Sequence, residues 1–153
     1  MKKKIVAGIL GLTLAVGLST SAFAAPFDIY KEFNDGNNGS FDGAENYRQT
    51  NSVEIQGNAS SERDDDYYKF VAPNSLRYEF ELTVDRDLTA NTDNAIVTLY
   101  DSAKNIVKTN RLRSDNTILF RSNLTAGETY YVRVESNYSA RNKTFNYNLL
   151  VRE

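Results

Sequence analysis

Short runs of period-two alternation limit this chain's fold more than any other feature. Tyr78-Glu79-Phe80-Glu81-Leu82-Thr83-Val84 places Tyr78, Phe80, Leu82 and Val84 on one face and polar residues on the other. Phe145 to Val151 repeats the pattern with Phe145, Tyr147, Leu149 and Val151. Thr129 to Glu135 does so with Tyr130, Val132 and Val134. Residues two apart share a face in a strand, so each run reads as a strand with one buried side. Shorter strand signals lie at 53–57, 67–71, 95–100, 106–107 and 117–120. Turn formers such as Asp101-Ser102-Ala103-Lys104-Asn105 and Leu124-Thr125-Ala126-Gly127-Glu128 separate them. No long helical period competes. The expected fold is all-β: an antiparallel β-sandwich, of which a jelly roll is one arrangement, since two facing sheets bury one-sided strands economically.

The two ends of the pattern differ in character. Met1-Lys2-Lys3-Lys4 is basic, Ile5 to Val16 is apolar, and Ser21-Ala22-Phe23-Ala24 ends in an A-x-A pattern. This is the form of a secretory signal peptide over 1–24, cut after Ala24. The apolar run is short for a bilayer span. The product is expected to be secreted and extracellular, with no stable membrane association after cleavage. Residues 25–52 are polar and rich in Asn, Gly and Asp, and read as an N-terminal arm, with a short helical turn at Ala44 to Gln49. The sandwich is expected over 53–153.

Composition excludes several chemistries. The chain has no Cys and no His. A small exported domain without disulfides must stand on its core, or on a metal. Ser-His-Asp and Cys-His catalysis and histidine metal sites are ruled out. Losing the three signal lysines leaves 15 basic against 20 acidic residues. That balance argues against nucleic acid as a partner.

Glu62-Arg63-Asp64-Asp65-Asp66 runs directly into the aromatic strand Tyr67-Tyr68-Lys69-Phe70. Asp64 and Asp66 share a face with Tyr68 and Phe70, at the rim of the core. Crowded carboxylates repel unless something positive joins them. Two readings stand: a solvated turn screened by Arg63 and Lys69, or a seat for a hard cation with oxygen ligands.

Several segments together resemble the bacterial pre-peptidase C-terminal domain. Glu32-Phe33-Asn34-Asp35 is similar to its E-x-N-D opening, and Gly57 followed by Asp64-x-Asp66-Tyr67-Tyr68-Lys69-Phe70 to its G…D-x-D-Y-Y-x-F signature. Val97-Thr98-Leu99-Tyr100-Asp101 resembles its central strand, Leu124 to Val134 its L-x-A-G-x-Y-Y-x-x-V segment, and Tyr147-Asn148-Leu149 its closing strand. The collagen-binding domains of clostridial collagenases are similar modules. The resemblance implies a jelly-roll sandwich with Ca2+ between an acidic arm and the D-Y-Y strand. The positions carried over are Glu32, Asn34, Asp35 and Asp66, with Asn58 near a further ligand position. A carboxylate expected three residues before Asp66 is here Arg63, so Glu62 or Asp64 would have to take its place. The expected metal ligands are Glu32, Asn34, Asp35, Asp64 and Asp66. Tyrosines that follow the Y-Y strand in the collagenase modules are missing at Glu135-Ser136-Asn137, so collagen binding is not implied.

The resulting expectation is a non-catalytic, calcium-stabilised binding module for an extracellular polymer or fibrous protein, with Tyr67 and Tyr131 as outward contact residues. An inhibitor or chaperone of a secreted peptidase is the alternative. A glycoside hydrolase using Glu79 and Glu81 is a third, weaker reading, because paired charges on a strand are usually a solvent-facing row.

Overall fold

A computed structural model describes residues 27–33, 36–59, 64–85, 95–112, 116–136 and 145–153. The signal segment over 1–24 lies outside these residues. Ten strands lie among the described residues: β1 (Asp28–Lys31), β2 (Glu45–Asn46), β3 (Ser52–Ala59), β4 (Asp65–Val71), β5 (Arg77–Val84), β6 (Ala95–Tyr100), β7 (Ile106–Arg111), β8 (Thr117–Asn123), β9 (Thr129–Ser136) and β10 (Phe145–Arg152). The described residues contain no helix. Hence none among them is long and apolar enough to cross a membrane.

The strands form two five-stranded sheets, in the orders β1-β3-β10-β5-β8 and β2-β4-β9-β6-β7. They face one another as a sandwich. All the central pairings are antiparallel. The two exceptions are β1 with β3 and β2 with β4, which run parallel at one edge of each sheet. The sheets are therefore mixed rather than purely antiparallel.

Alternation decides what is buried. In β10, Phe145, Tyr147, Leu149 and Val151 point inward and Asn146 and Asn148 outward. Tyr78, Phe80 and Leu82 of β5 meet Ile118 and Phe120 of β8, and the Phe80 and Phe120 rings stack with centroids 4.9 Å apart. Tyr68, Val132, Val97 and Leu99 supply the facing layer. Burying a large apolar side chain contributes roughly 1.5–3 kcal/mol, which is how the fold manages without disulfides. The turn from β8 to β9 needs Gly127, whose φ of +81° fits the third position of a type II turn closed by Glu128 N–H to Thr125 O.

The segment expected as an arm contributes one strand to each sheet. The helical turn expected at Ala44 to Gln49 is absent. Glu45–Asn46 is extended along β4, and Tyr47 N–H continues that pairing to Lys69 O at 3.1 Å. Tyr47 is buried, with its ring 5.2 Å from that of Phe70. A weak local helix preference yields to that packing.

The segment read as polar nevertheless carries aromatic rings that hold it down. Tyr30 packs on Tyr47 and Tyr68. Phe41 lies on Tyr67, Tyr100 and Tyr131, with ring centroids 4.7, 5.0 and 5.2 Å away. Tyr67 is thus a buried seat for Phe41 and not the outward contact residue expected. Tyr131 is half-buried.

Candidate metal centre

The junction between arm and sheets gathers carboxylates. Glu32 follows β1, and its N–H bonds Gln56 O at 3.0 Å, extending the parallel pairing to β3. Its carboxylate accepts from Asn58 N–H at 2.8 Å and from Asn38 Nδ2 at 2.6 Å. Asn38 O in turn accepts from Tyr67 N–H at 3.0 Å, so the loop after β1 is tied to β4. Asp66 lies on β4 with no exposed surface. Its Oδ2 accepts from Tyr147 Oη at 2.7 Å, and Tyr147 Oη lies 2.6 Å from Tyr68 Oη. Asp64 is buried one turn of the pleat away, held by Asp64 N–H to Ser136 Oγ and Ser136 N–H to Asp64 O.

Gly57 makes this arrangement sterically possible. A Cβ there would run into the Tyr147 ring and hydroxyl. The absence of a side chain lets Tyr147 cross β3 and reach Asp66.

Two buried oxygens of this site, Asp66 Oδ1 and Asn38 Oδ1, have no hydrogen-bond partner among the described residues. Burial and the nearby charges of Glu32 and Asp64 outweigh the Tyr147 hydrogen bond and push the Asp66 carboxyl up to about 9. Ionised together, Glu32 and Asp66 are both acceptors and neither can donate to the other. Either a proton or a cation must therefore sit between them. The donor set is all oxygen, from carboxylates and a carboxamide, which fits calcium chemistry. No three acidic side chains among the described residues stand in an arrangement that would hold a metal by themselves. Glu32, Asp66 and Asn38 Oδ1 are brought together here, and Asp64, two residues before Asp66, does not complete a three-carboxylate group with them. The remaining expected ligands, Asn34 and Asp35, lie outside the described residues, as does Glu62. Asn58, placed near a ligand position, gives its N–H to Glu32, and its amide bonds Asn146 Oδ1 at 2.7 Å.

Two participants escape a sequence reading. Asn38 sits in a run of turn formers with nothing to mark it. Glu45 is a buried carboxylate on β2 that accepts from Tyr30 Oη at 2.8 Å. Burial and then Glu45 drive the Tyr30 phenol well above its ordinary range. The buried apolar ring of Tyr47, two residues on, is the signal that could have placed Glu45 in an ordered strand.

Elsewhere the acids are occupied. Burial would raise Glu79, but Arg152 and Arg121 on the flanking strands outweigh it and hold its carboxyl below the ordinary range. Glu81 shares Arg152 at 3.4 Å. A general acid needs the opposite shift, so Glu79 is not held as a general acid would be.

No protein-family model matches the chain, and no curated protein matches it in sequence. Solved structures do match. The pre-peptidase C-terminal domain of the collagenase from Bacillus anthracis is similar over 71% of this chain and 96% of that one, with 18% identity and a TM-score of 0.56. The fold is that of a pre-peptidase C-terminal domain. A second match is PliG of Aeromonas hydrophila, a periplasmic inhibitor of g-type lysozyme, at 13% identity and a TM-score of 0.47 over 71% of this chain and 96% of that one. The sequence resemblance to the pre-peptidase C-terminal domain thus agrees with the three-dimensional one.

Proposed function

We propose that this chain is an exported, non-catalytic binding module for an extracellular polymer or fibrous protein, stiffened by calcium where its arm meets the two sheets. One observation carries the reading. Asp66 is buried beside Glu32 at the joint between arm and sheets, and its Oδ1, like Asn38 Oδ1, has no hydrogen-bond partner among the described residues. Three open pockets among the described residues bear on its non-catalytic half. They are lined by one carboxylate, none and one (Glu32 in the first, Asp85 in the third). Paired-acid hydrolysis needs two.

Glu32, Asp66 and the Asn38 carboxamide would contribute to holding the ion. The bound ion supplies positive charge that lets Glu32 and Asp66 both ionise. The chain's own residues do the rest. Tyr147 orients Asp66, Asn58 N–H orients Glu32, and Asn38 couples the loop to β4. The effect is to fix the arm, and with it the edge strands β1 and β2.

The test is a pull-down of the mature chain on insoluble extracellular polymers, in excess calcium and in chelator, with a peptide and glycoside hydrolysis assay beside it. Calcium-dependent retention without turnover is expected. Capture of a secreted peptidase in place of a polymer would move the reading to an inhibitor or chaperone. Turnover abolished by Glu79→Gln would overturn it.

A further inference from the structure

The two sheets end on one side in the free edge strands β7 and β8. Between them runs a groove of about 380 Å3, lined by Arg77, Lys108, Asn110, Leu119, Phe120 and Arg121. Three of these are cations and none is an acid, in a chain whose acidic residues outnumber its basic ones. Arg121 is anchored by Glu79. Arg77 and Lys108 are exposed and pair with no carboxylate among the described residues.

Lys108 stands opposite Leu99, and Asn110 opposite Val97, on the neighbouring strand β6. Leu99 and Val97 are core residues. Across the pair, Lys108 and Asn110 therefore occupy the inward face of β7, where a closed sandwich would carry apolar residues. A lone inward lysine on an edge is protection against stray strand pairing. Arg77 and Lys108 together on one groove, neither joined by a carboxylate among the described residues, are more than that, because like charges repel until an anion joins them.

We propose that this groove receives a short, extended, acidic segment of a partner protein that also carries apolar side chains. Guanidinium forks suit carboxylates. Both banks are free strand edges with main-chain groups an extended peptide can bond. Asn110 Nδ2 already donates to Leu119 O at 3.0 Å and closes one end of the groove. The floor is apolar at Phe120, and Leu119 is 43% exposed, with Ile106 and Val107 exposed on β7 alongside. An anionic polysaccharide would engage the cations but neither the strand edges nor these apolar groups. The inference rests on the reading of the chain as a binding module and not on its cation.

The test is fluorescence anisotropy with a labelled octapeptide alternating glutamate and leucine, added to the mature chain. Binding that weakens with salt is expected, and no binding of a lysine–leucine counterpart. Arg77→Glu with Lys108→Glu should raise Kd about tenfold or more. Arg48→Glu, an exposed cation elsewhere, should not. Both groove residues are exposed, so an unchanged melting temperature confirms that the double variant is folded. The proposal is overturned if the peptide does not bind, if the double variant binds it equally well, or if a sulfated polysaccharide binds through Arg77 and Lys108 while the peptide does not. Each of these outcomes leaves the polymer pull-down and the calcium response intact, so the two readings fail separately.

Discussion

Asp66→Asn should change the sign of its effect with calcium. Folding raises the Asp66 pKa from its ordinary value of 3.8 to about 9. Stability tied to its proton is therefore complete below about pH 4 and is lost as pH rises through about 9. In chelator, the wild-type chain should weaken steadily across that window. Asparagine keeps the acceptor for Tyr147 Oη and adds an N–H that can donate to Glu32. A hydrogen bond to a charged group contributes about 1.5–3 kcal/mol. Near pH 9 in chelator the variant should thus be the more stable protein by roughly that amount. In calcium the order reverses. Ligand at a thousand times its Kd stabilises the native state by about 4.1 kcal/mol, which for a domain of this size raises Tm by roughly 15 °C. The wild type gains this and Asp66→Asn does not. Differential scanning calorimetry of the mature chain, in calcium and in chelator near pH 6 and pH 9, measures all these quantities. Two results would refute the reasoning: a wild-type Tm indifferent to calcium at both pH values, or a variant less stable than wild type in chelator at pH 9.

Gly57→Ala should drive the Tyr147 ring off Asp66, cost about 1–3 kcal/mol as an overpacked site and erase the calcium response; a calorimetric trace like wild type would count against the contact. Phe41→Ala should uncover Tyr67, Tyr100 and Tyr131 and cost roughly 2 kcal/mol; limited proteolysis should then cut near Gly36 or Gly39 sooner than in wild type. Export with cleavage after Ala24 should give protein in the medium whose N-terminal sequence begins Ala25-Pro26-Phe27, and an intact Met1 terminus in membranes would contradict it.

The central strands were legible because each carries its own alternation. Phe145 to Val151 reads as a one-sided strand with no other information. The edges were less legible. β7 continues through Lys108-Thr109-Asn110-Arg111, where both faces are polar and only its pairing with β6 keeps it extended. β1 and β2 are too short to show a period, and their parallel partners lie more than twenty residues away. In the candidate site, Asp64 and Asp66 were visible as a charge run entering an aromatic strand. Their full burial was not, since a charge run ordinarily stays in solvent. Asn38 and Glu45 were hidden because their roles depend on long-range burial. Tyr67 was misplaced for the same reason: nothing local in its strand reports that Phe41 covers it.

The place of β10 bears on how the molecule comes together in time. It lies inside its sheet, between β3 and β5, yet Phe145 pairs with Ala59 and Arg152 with Ser52, contacts spanning 86 to 100 residues. A chain emerging N-terminus first makes β3 and β5 long before the strand that joins them. Until β10 arrives, that sheet is two unconnected pieces, and the arm has half a platform to dock on. Such long-range closure puts folding in the slow range, about milliseconds to seconds. The polypeptide consequently stays threadable until β10 has been made.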